Sequence, residues 1–504
     1  MSISRSKIKI VLTLLVLLVC AVALLALFGW YKFFREEPEQ TFANDLERFK
    51  YGSIGAENER GLPYWIWTVL PSVFPDLTPG PGGYKSFGLV WEEGHEMPVG
   101  FTKRVIGFPR VANNCAICHV GTWRRPSDTD PLLPANEMPH VVPTAPSHTT
   151  DVQNLIRFLT NAAKDSRFNA DTLLGEINQR TQLSVTDKLL YRFVLIPLTR
   201  RALLEQDSQM AWMNRPHWPQ WGRGRDDPMN LTKYFMTSMP VDNSTGIADF
   251  PSVWNLKTRK GDGRFLNWTC DTPAVRSVLI DSALGLGAAP VPGNRISQWQ
   301  WEHGRRDWFL KRMEELDNTL SETPPPKYPF PIDTARAAAG APIYAKLCAE
   351  CHDPGAKYTN TPIPVEEVKT DRERMDTWMQ AAADEANRRV AEMGITRPNM
   401  VKKFGYCSPP LDGIWLRAPY LHNGSVPNMR ELLSPEDKRT KIFYRGCDVY
   451  DPANMGFVTS GALAGRTGWR HDVSVRGDSN AGHTYGADLS PEERDALIEY
   501  LKQL

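Results

Sequence analysis

The chain carries almost no net charge: 59 Lys and Arg meet 58 Asp and Glu, a balance of +1. No global field therefore draws it to nucleic acid, and no nucleic-acid partner is expected. Low-complexity tracts are missing too, since 40 Pro and 36 Gly among 504 residues fit long ordered loops rather than a repetitive or unfolded chain. No fixed-period repeat and no sustained apolar–polar alternation stands out, which removes the usual signs of a solenoid or a large β-sheet. Cysteine is scarce, with eight residues. What remains is a globular, mainly α chain with long loops, long enough for at least two domains.

Beyond residue 30 there is no long apolar run. Before it there is one: Ile10–Trp30, broken only by Thr13 and Gly29. This is about the 20 residues needed to cross a hydrocarbon core. Arg5, Lys7 and Lys9 precede it, so the positive-inside rule places residues 1–9 in the cytoplasm, 10–30 as a transmembrane anchor and the bulk outside, in the periplasm of a bacterial inner membrane. A cleaved signal peptide is the rival reading, but its apolar core should span only about 7–15 residues. Glu36–Phe42 reads as a short polar spacer.

Four of the eight cysteines fall in two copies of one pattern: Cys115-Ala-Ile-Cys118-His119 and Cys348-Ala-Glu-Cys351-His352. C-x-x-C-H is the attachment signature of c-type haem. The two thiols bond the vinyl groups and the adjacent His becomes the proximal iron ligand. A redox dithiol has no need of the His, and an exported zinc site is a less natural use of four thiols. Two covalently bound haem c groups are therefore expected, attached outside the cytoplasm as the anchor requires. Of the other cysteines, Cys407 and Cys447 are read as a disulfide pair and Cys270 as a buried free thiol.

Pro324–Pro331 cannot continue a helix and marks a linker. It separates an enlarged N-terminal haem c domain at 43–323 from a C-terminal haem c domain at 332–504. Helices are expected at Asp151–Lys164, Val185–Arg201, Gln298–Leu316 and Thr334–Cys351. Ser490-Pro491-Glu492-Glu493 opens a last helix as a capping box with Pro at its first position. A helix before the haem motif and a closing helix packed on it is the plan of small cytochromes c.

Leu416–Leu433 (LRAPYLHNGSVPNMRELL), taken with the two haem motifs, resembles the bacterial dihaem cytochrome c peroxidase superfamily. Asp249–Leu256 (DFPSVWNL) and Gly482–Gly486 (GHTYG) are more similar to its rubber oxygenase-like branch. The resemblance implies a membrane-anchored periplasmic oxidoreductase. Its N-terminal haem has an open face that activates hydrogen peroxide or dioxygen, and its C-terminal haem is six-coordinate and relays electrons. A partner protein or quinone-linked chain would exchange those electrons. A polymer outside the cell could not reach a membrane-held enzyme, so the branch informs architecture more than substrate. A calcium ion between the domains is compatible with the superfamily, although no ligand cluster demands one. A non-catalytic electron-transfer cytochrome with both irons six-coordinate is the alternative.

His119 and His352 are the proximal iron ligands. His483 matches the place of the sixth ligand used by rubber oxygenases, with His422, Met429 and Met455 left open as alternatives. Arg417 is a candidate partner for a haem propionate, or else a surface ion pair. Trp254 and Trp268 are candidates to lie near the first ring or between the haems, where an oxidisable indole can relay an electron hole; core packing is the plain alternative. Asp271, Glu302 and His303 qualify as acid–base groups by type alone.

Overall fold

The computed structural model describes residues 5–237 and 239–504. Residues 1–4, part of the segment read as cytoplasmic, lie outside the described residues. The chain is mostly helical, at 47% helix.

A long helix, Arg5–Phe33, opens it. Its apolar part, Lys9–Phe33, is long enough to cross a membrane and none of its most apolar stretch is buried. Its end is built into the body. Arg110 Nη2 donates to the Phe33 carbonyl (3.2 Å), and Phe33 meets Phe108 edge to face. The backbone N–H of Gly107 donates to Arg35 O (2.7 Å) and that of Glu37 to Val105 O (3.0 Å). The polar spacer thus begins as an added rung on a sheet, with Glu36 bridging Ile106. Gly107 is required here twice. It turns the chain at φ +72°, and a Cβ would lie 2.2 Å from Lys32 O.

That sheet has three antiparallel strands in the order Leu62–Pro63, Phe108–Asn113, Phe101–Ile106. Phe101 pairs with Asn113 and Ile106 with Phe108. Five two-stranded ribbons complete the β structure among the described residues. Strands of two to six residues are too short to print an alternating pattern, which is why the sequence showed none.

The expected helices form, with breaks. Val152–Lys164 starts at Asp151, whose carboxylate accepts from the Asn154 N–H (3.0 Å). The run expected at Val185–Arg201 is Val185–Leu190, a π-turn at Tyr191–Leu195, then Ile196–Gln209. The one expected at Gln298–Leu316 is Arg295–Gln300, a π-turn at Trp301–Arg305 where Gly304 adopts φ +128°, and Arg306–Glu322. Thr334–Leu347 stops at Cys348 and resumes as Ala349–His352. The closing helix Pro491–Leu501 carries the capping box of Ser490 and Glu493. It crosses Thr334–Leu347 so closely that a Cβ on Gly340 would lie 2.1 Å from Ala496 O.

Three apolar cores organise the body. One gathers Phe49, Cys115, Met229, Leu279, Phe309 and Met313. A second centres on Trp67, Phe74, Phe158 and Tyr191. The third joins Trp123 and Trp254 to Tyr344, Trp415, Tyr450 and Leu497. The chain crosses between them on both sides of the proline linker. Trp378, Ala382 and Val390 pack into the first core although they follow it, and Trp254 packs into the third although it precedes it.

The disulfide differs from the expected one. Cys270 is bonded to Cys407, with Cα atoms 5.3 Å apart, and Cys447 is a buried free thiol. The reason is local pairing: the Cys407 N–H donates to Trp268 O (2.9 Å), which brings the turn holding Cys270 alongside. Cys447 lies in a separate small core with Val449, Val458 and Ala464.

Candidate haem sites

The first C-x-x-C-H motif is delivered by the sheet. Phe108–Asn113 ends one residue before a single turn, Cys115–Ile117. Asn114 caps that turn, its side-chain oxygen accepting from the Ala116 N–H (2.9 Å). Its amide donates to Gly52 O (2.9 Å). Cys115 is buried and Cys118 nearly so, and both are free thiols. Burial pushes the Cys115 thiol up to about 11 and raises Cys118 as well. Such thiols stay protonated at neutral pH, which does not suit a redox dithiol.

His119 sets its ring against Pro251 O, 2.9 Å from Nδ1. A carbonyl only accepts, so Nδ1 carries the proton and Nε2 keeps its lone pair, the tautomer a metal-ligating His needs. Burial holds the ring down to about 4, hence neutral.

The second motif repeats this on a different scaffold. Helix Thr334–Leu347, capped by Asp333, runs directly into Cys348. His352 Nδ1 donates to Pro409 O (2.8 Å). Burial lowers the pKa of this His too and raises Cys348 to about 12. Two proline carbonyls therefore fix the two ligand rings.

His483 faces His352, with ring centres 6.3 Å apart. Two imidazoles that share one metal through bonds of about 2 Å have ring centres about 6 Å apart. The donor set therefore fits one iron between them. His483 sits at φ +48° and is held through its backbone. Its N–H donates to Val368 O (2.8 Å), and the buried Arg439 donates to its carbonyl (3.2 Å) and to Gly482 O (2.8 Å). Three other histidines stack on aromatic rings, although Nε2 of His422 and of His148 is buried without a hydrogen-bond partner. His422 stacks on Tyr406, His148 on Phe457 and His140 on Trp123. Met429 and Met455 are buried in the third core. Among the described residues no second imidazole faces His119.

Arg417 is not a surface ion pair but a buried one. It donates to Asp412 Oδ1 (2.8 Å) and Pro410 O (2.7 Å), and its Nε has no partner. Arg259, which sequence reasoning missed, is buried nearby: burial and then the Arg417 charge lower its pKa to about 10, and burial lowers Arg417 too. Arg259 donates to Ser252 O and Oγ, both at 3.2 Å, and its Nε is also unpartnered. Asp412 pairs with Arg417 alone, which leaves Arg259 a buried cation with no carboxylate of its own. This surplus and the orphaned N–H groups fit a pair of haem propionates.

Trp254 is fully buried. Its indole N–H donates to Asp412 O (3.0 Å), and Arg417 lies over the ring at 5.3 Å. Trp254 is three residues from Pro251, and Asp412 is three residues from Pro409. One short path therefore runs from His119 through Pro251, Trp254, Asp412 and Pro409 to His352. The 249–254 segment is pinned by a buried ion pair of Asp249 with Arg445, by the Asp249 N–H donating to His422 O (2.8 Å) and by the Val253 N–H donating to Thr144 O (2.9 Å). Trp268 is half-buried, donates to Asp249 O (2.9 Å) and packs beside Met375 and Tyr406.

The acid–base candidates chosen by type are not brought together. Glu302 and His303 are exposed, and His303 stacks on Trp299 at the surface. The Asp271 carboxylate is occupied by Asn267, Thr269 and Thr272. For calcium, no group of three or more His, Cys, Asp or Glu side chains converges among the described residues.

The family described as RoxA-like, cytochrome c-like matches residues 405–444, the segment that holds Pro409, Asp412, Arg417 and His422. The uncharacterized protein y4iM of Sinorhizobium fredii (strain NBRC 101917 / NGR234) is 31% identical, over 56% of this chain and 71% of y4iM. The chain belongs to the family of y4iM. A second uncharacterized protein of that strain, y4iJ, is 30% identical over 38% of this chain, which spans only 43% of y4iJ. The y4iM family thus carries, in this member, a RoxA-like cytochrome c-like segment at 405–444 and an exposed apolar N-terminal helix. That segment suggests a haem c protein.

Proposed function

We propose that this chain is a membrane-anchored periplasmic dihaem c oxidoreductase of the peroxidase-like kind. The site at Cys115–His119 would act on hydrogen peroxide or dioxygen, and the site at Cys348–His352 would relay electrons. The supporting observation is an asymmetry. His352 has an imidazole, His483, facing it, whereas His119 has none among the described residues.

Bound haem would supply the one-electron and oxidant chemistry. The chain's own work is to hold and wire it. Pro251 and Pro409 accept from the two ligand rings, Arg417 and Arg259 would receive the acidic edge, and Trp254, bonded to Asp412 O, would bridge the two sites. Electrons would come from a soluble donor protein or a quinone-linked chain in the same membrane.

Met229 and Met236 share the core that holds Cys115, and this favours a second reading. A thioether opposite His119 would make both irons six-coordinate and the protein a non-catalytic electron carrier. Electron paramagnetic resonance of the oxidised protein separates the two. A high-spin signal beside a low-spin one supports the enzyme; two low-spin signals that persist in peroxide or cyanide overturn it.

A further inference from the structure

The helical run that starts after Ser184 turns an apolar stripe outward. Val185, Leu189 and Phe193 fall four residues apart, and the π-turn at Tyr191–Leu195 carries the stripe on to Leu198. The four are 75%, 51%, 68% and 56% exposed. The inner face, with Tyr191, Leu195 and Ile196, is already buried in the second core. A surface helix normally turns polar residues outward, so apolar residues on both faces mark an outer face that is also covered in use. Interspersed polar groups are basic: Val185–Leu204 holds Lys188, Arg192, Arg200 and Arg201 against one acid, Asp187. Arg192 also reaches Asp171 (2.6 Å).

Asp187 fixes where the stripe lies. It is paired with Lys32 at 2.6 Å, in the last turn of the apolar N-terminal helix. Trp30 and Tyr31 stand beside Lys32, 54% and 45% exposed, the aromatic types that sit at a membrane–water boundary. The stripe therefore begins where that helix would leave the bilayer. Farther along the same run is an open pocket of about 460 Å³. Phe168, Ile196, Pro197 and Leu204 give it apolar walls, and Arg200 and Arg201 line it too. That combination suits an acyl chain below an anionic headgroup.

We infer that Val185–Leu204 is a second membrane contact. It lies in the interface of an anionic bilayer, with Leu189, Phe193 and Leu198 among the acyl chains and Lys188, Arg192 and Arg201 at the phosphates. The inference rests on the reading of the N-terminal helix as membrane-spanning. Two contacts, unlike one, fix how the haem-bearing body faces the membrane.

Photo-crosslinking of the full, haem-loaded chain tests this. A photo-reactive benzoylphenylalanine is placed singly at Leu15, Phe193 or Val475 in protein reconstituted into vesicles of phosphatidylglycerol and phosphatidylcholine. Val475 is an exposed apolar residue of the C-terminal half. Lipid adducts are expected at Leu15 and Phe193, with Phe193 yielding about tenfold more than Val475. Adducts at Leu15 with none at Phe193 overturn the second contact and leave the anchor standing. Adducts of Phe193 to protein overturn it in favour of a protein interface. No lipid adduct at Leu15 overturns the anchor reading and this inference together.

Discussion

His352 and His483, far apart in the chain, present their imidazoles to each other across 6.3 Å between ring centres. The first ring is fixed by Pro409 O; the second is placed by backbone contacts to Val368 and Arg439. Both are kept neutral by burial, which lowers His483 to about 4. His483→Ala should convert the low-spin signal of the second haem to high-spin while leaving the first unchanged. A low-spin signal that survives the substitution assigns the ligand elsewhere.

Trp254→Phe keeps an aromatic ring in the third core but removes the indole N–H that serves Asp412 O. Arg417 still donates to that carbonyl, so the lost hydrogen bond should cost only about 0.5–1.5 kcal/mol of stability. Transfer between the two haems should slow about tenfold, equivalent to a barrier about 1.4 kcal/mol higher. Stopped-flow reduction, monitored at both haems, gives the rate. Unchanged transfer would reduce Trp254 to a packing residue.

Arg417→Gln and Arg259→Gln each remove one of two neighbouring cations, of which only Arg417 is paired with Asp412. Loss of a positive charge beside a haem favours its oxidised form. Each variant should therefore lower one reduction potential by on the order of 60 mV, a tenfold change in a one-electron equilibrium. Potentiometric titration reads this directly, and Arg417→Lys should restore part of the Arg417 shift.

His148 is buried against Phe457, and burial holds its pKa down to about 4 from the ordinary 6.5. The folded state thus binds fewer protons than the unfolded state between those values. The neutral ring's contribution is complete above pH 6.5 and is lost as pH falls through 4. Its slope is at most about 1.4 kcal/mol per pH unit. His148→Phe keeps the stack and should remove that slope, moving the acid-unfolding midpoint downward.

Cys270→Ala should cost about 2–4 kcal/mol, because the disulfide with Cys407 closes a segment of 137 residues. Cys447→Ser should leave the melting temperature's response to reductant unchanged, since that thiol is unpaired.

The covalent and local features were legible in the sequence. The spacing of Cys115, Cys118 and His119, and of its copy at Cys348, is a property of neighbouring residues. So are the Ser490–Glu493 capping box and the apolar run of the first helix. Each depends on contacts within about one or two turns of chain, which composition and period can show.

What the tertiary structure decided is everything that joins distant segments. Cys407 met Cys270 rather than Cys447 because Trp268 O pairs with the Cys407 backbone. Arg259 gained its place beside Arg417 only when the 249–259 segment crossed to the loop at 409–412. Pro251 and Pro409 became ring anchors through carbonyls, which every residue carries and no pattern of side chains reveals. The outward stripe at Val185–Leu198 needed the π-turn and the Lys32–Asp187 pair to show which way it faces. Local chemistry follows from the order of residues, but partners chosen across a folded body depend on how its cores pack.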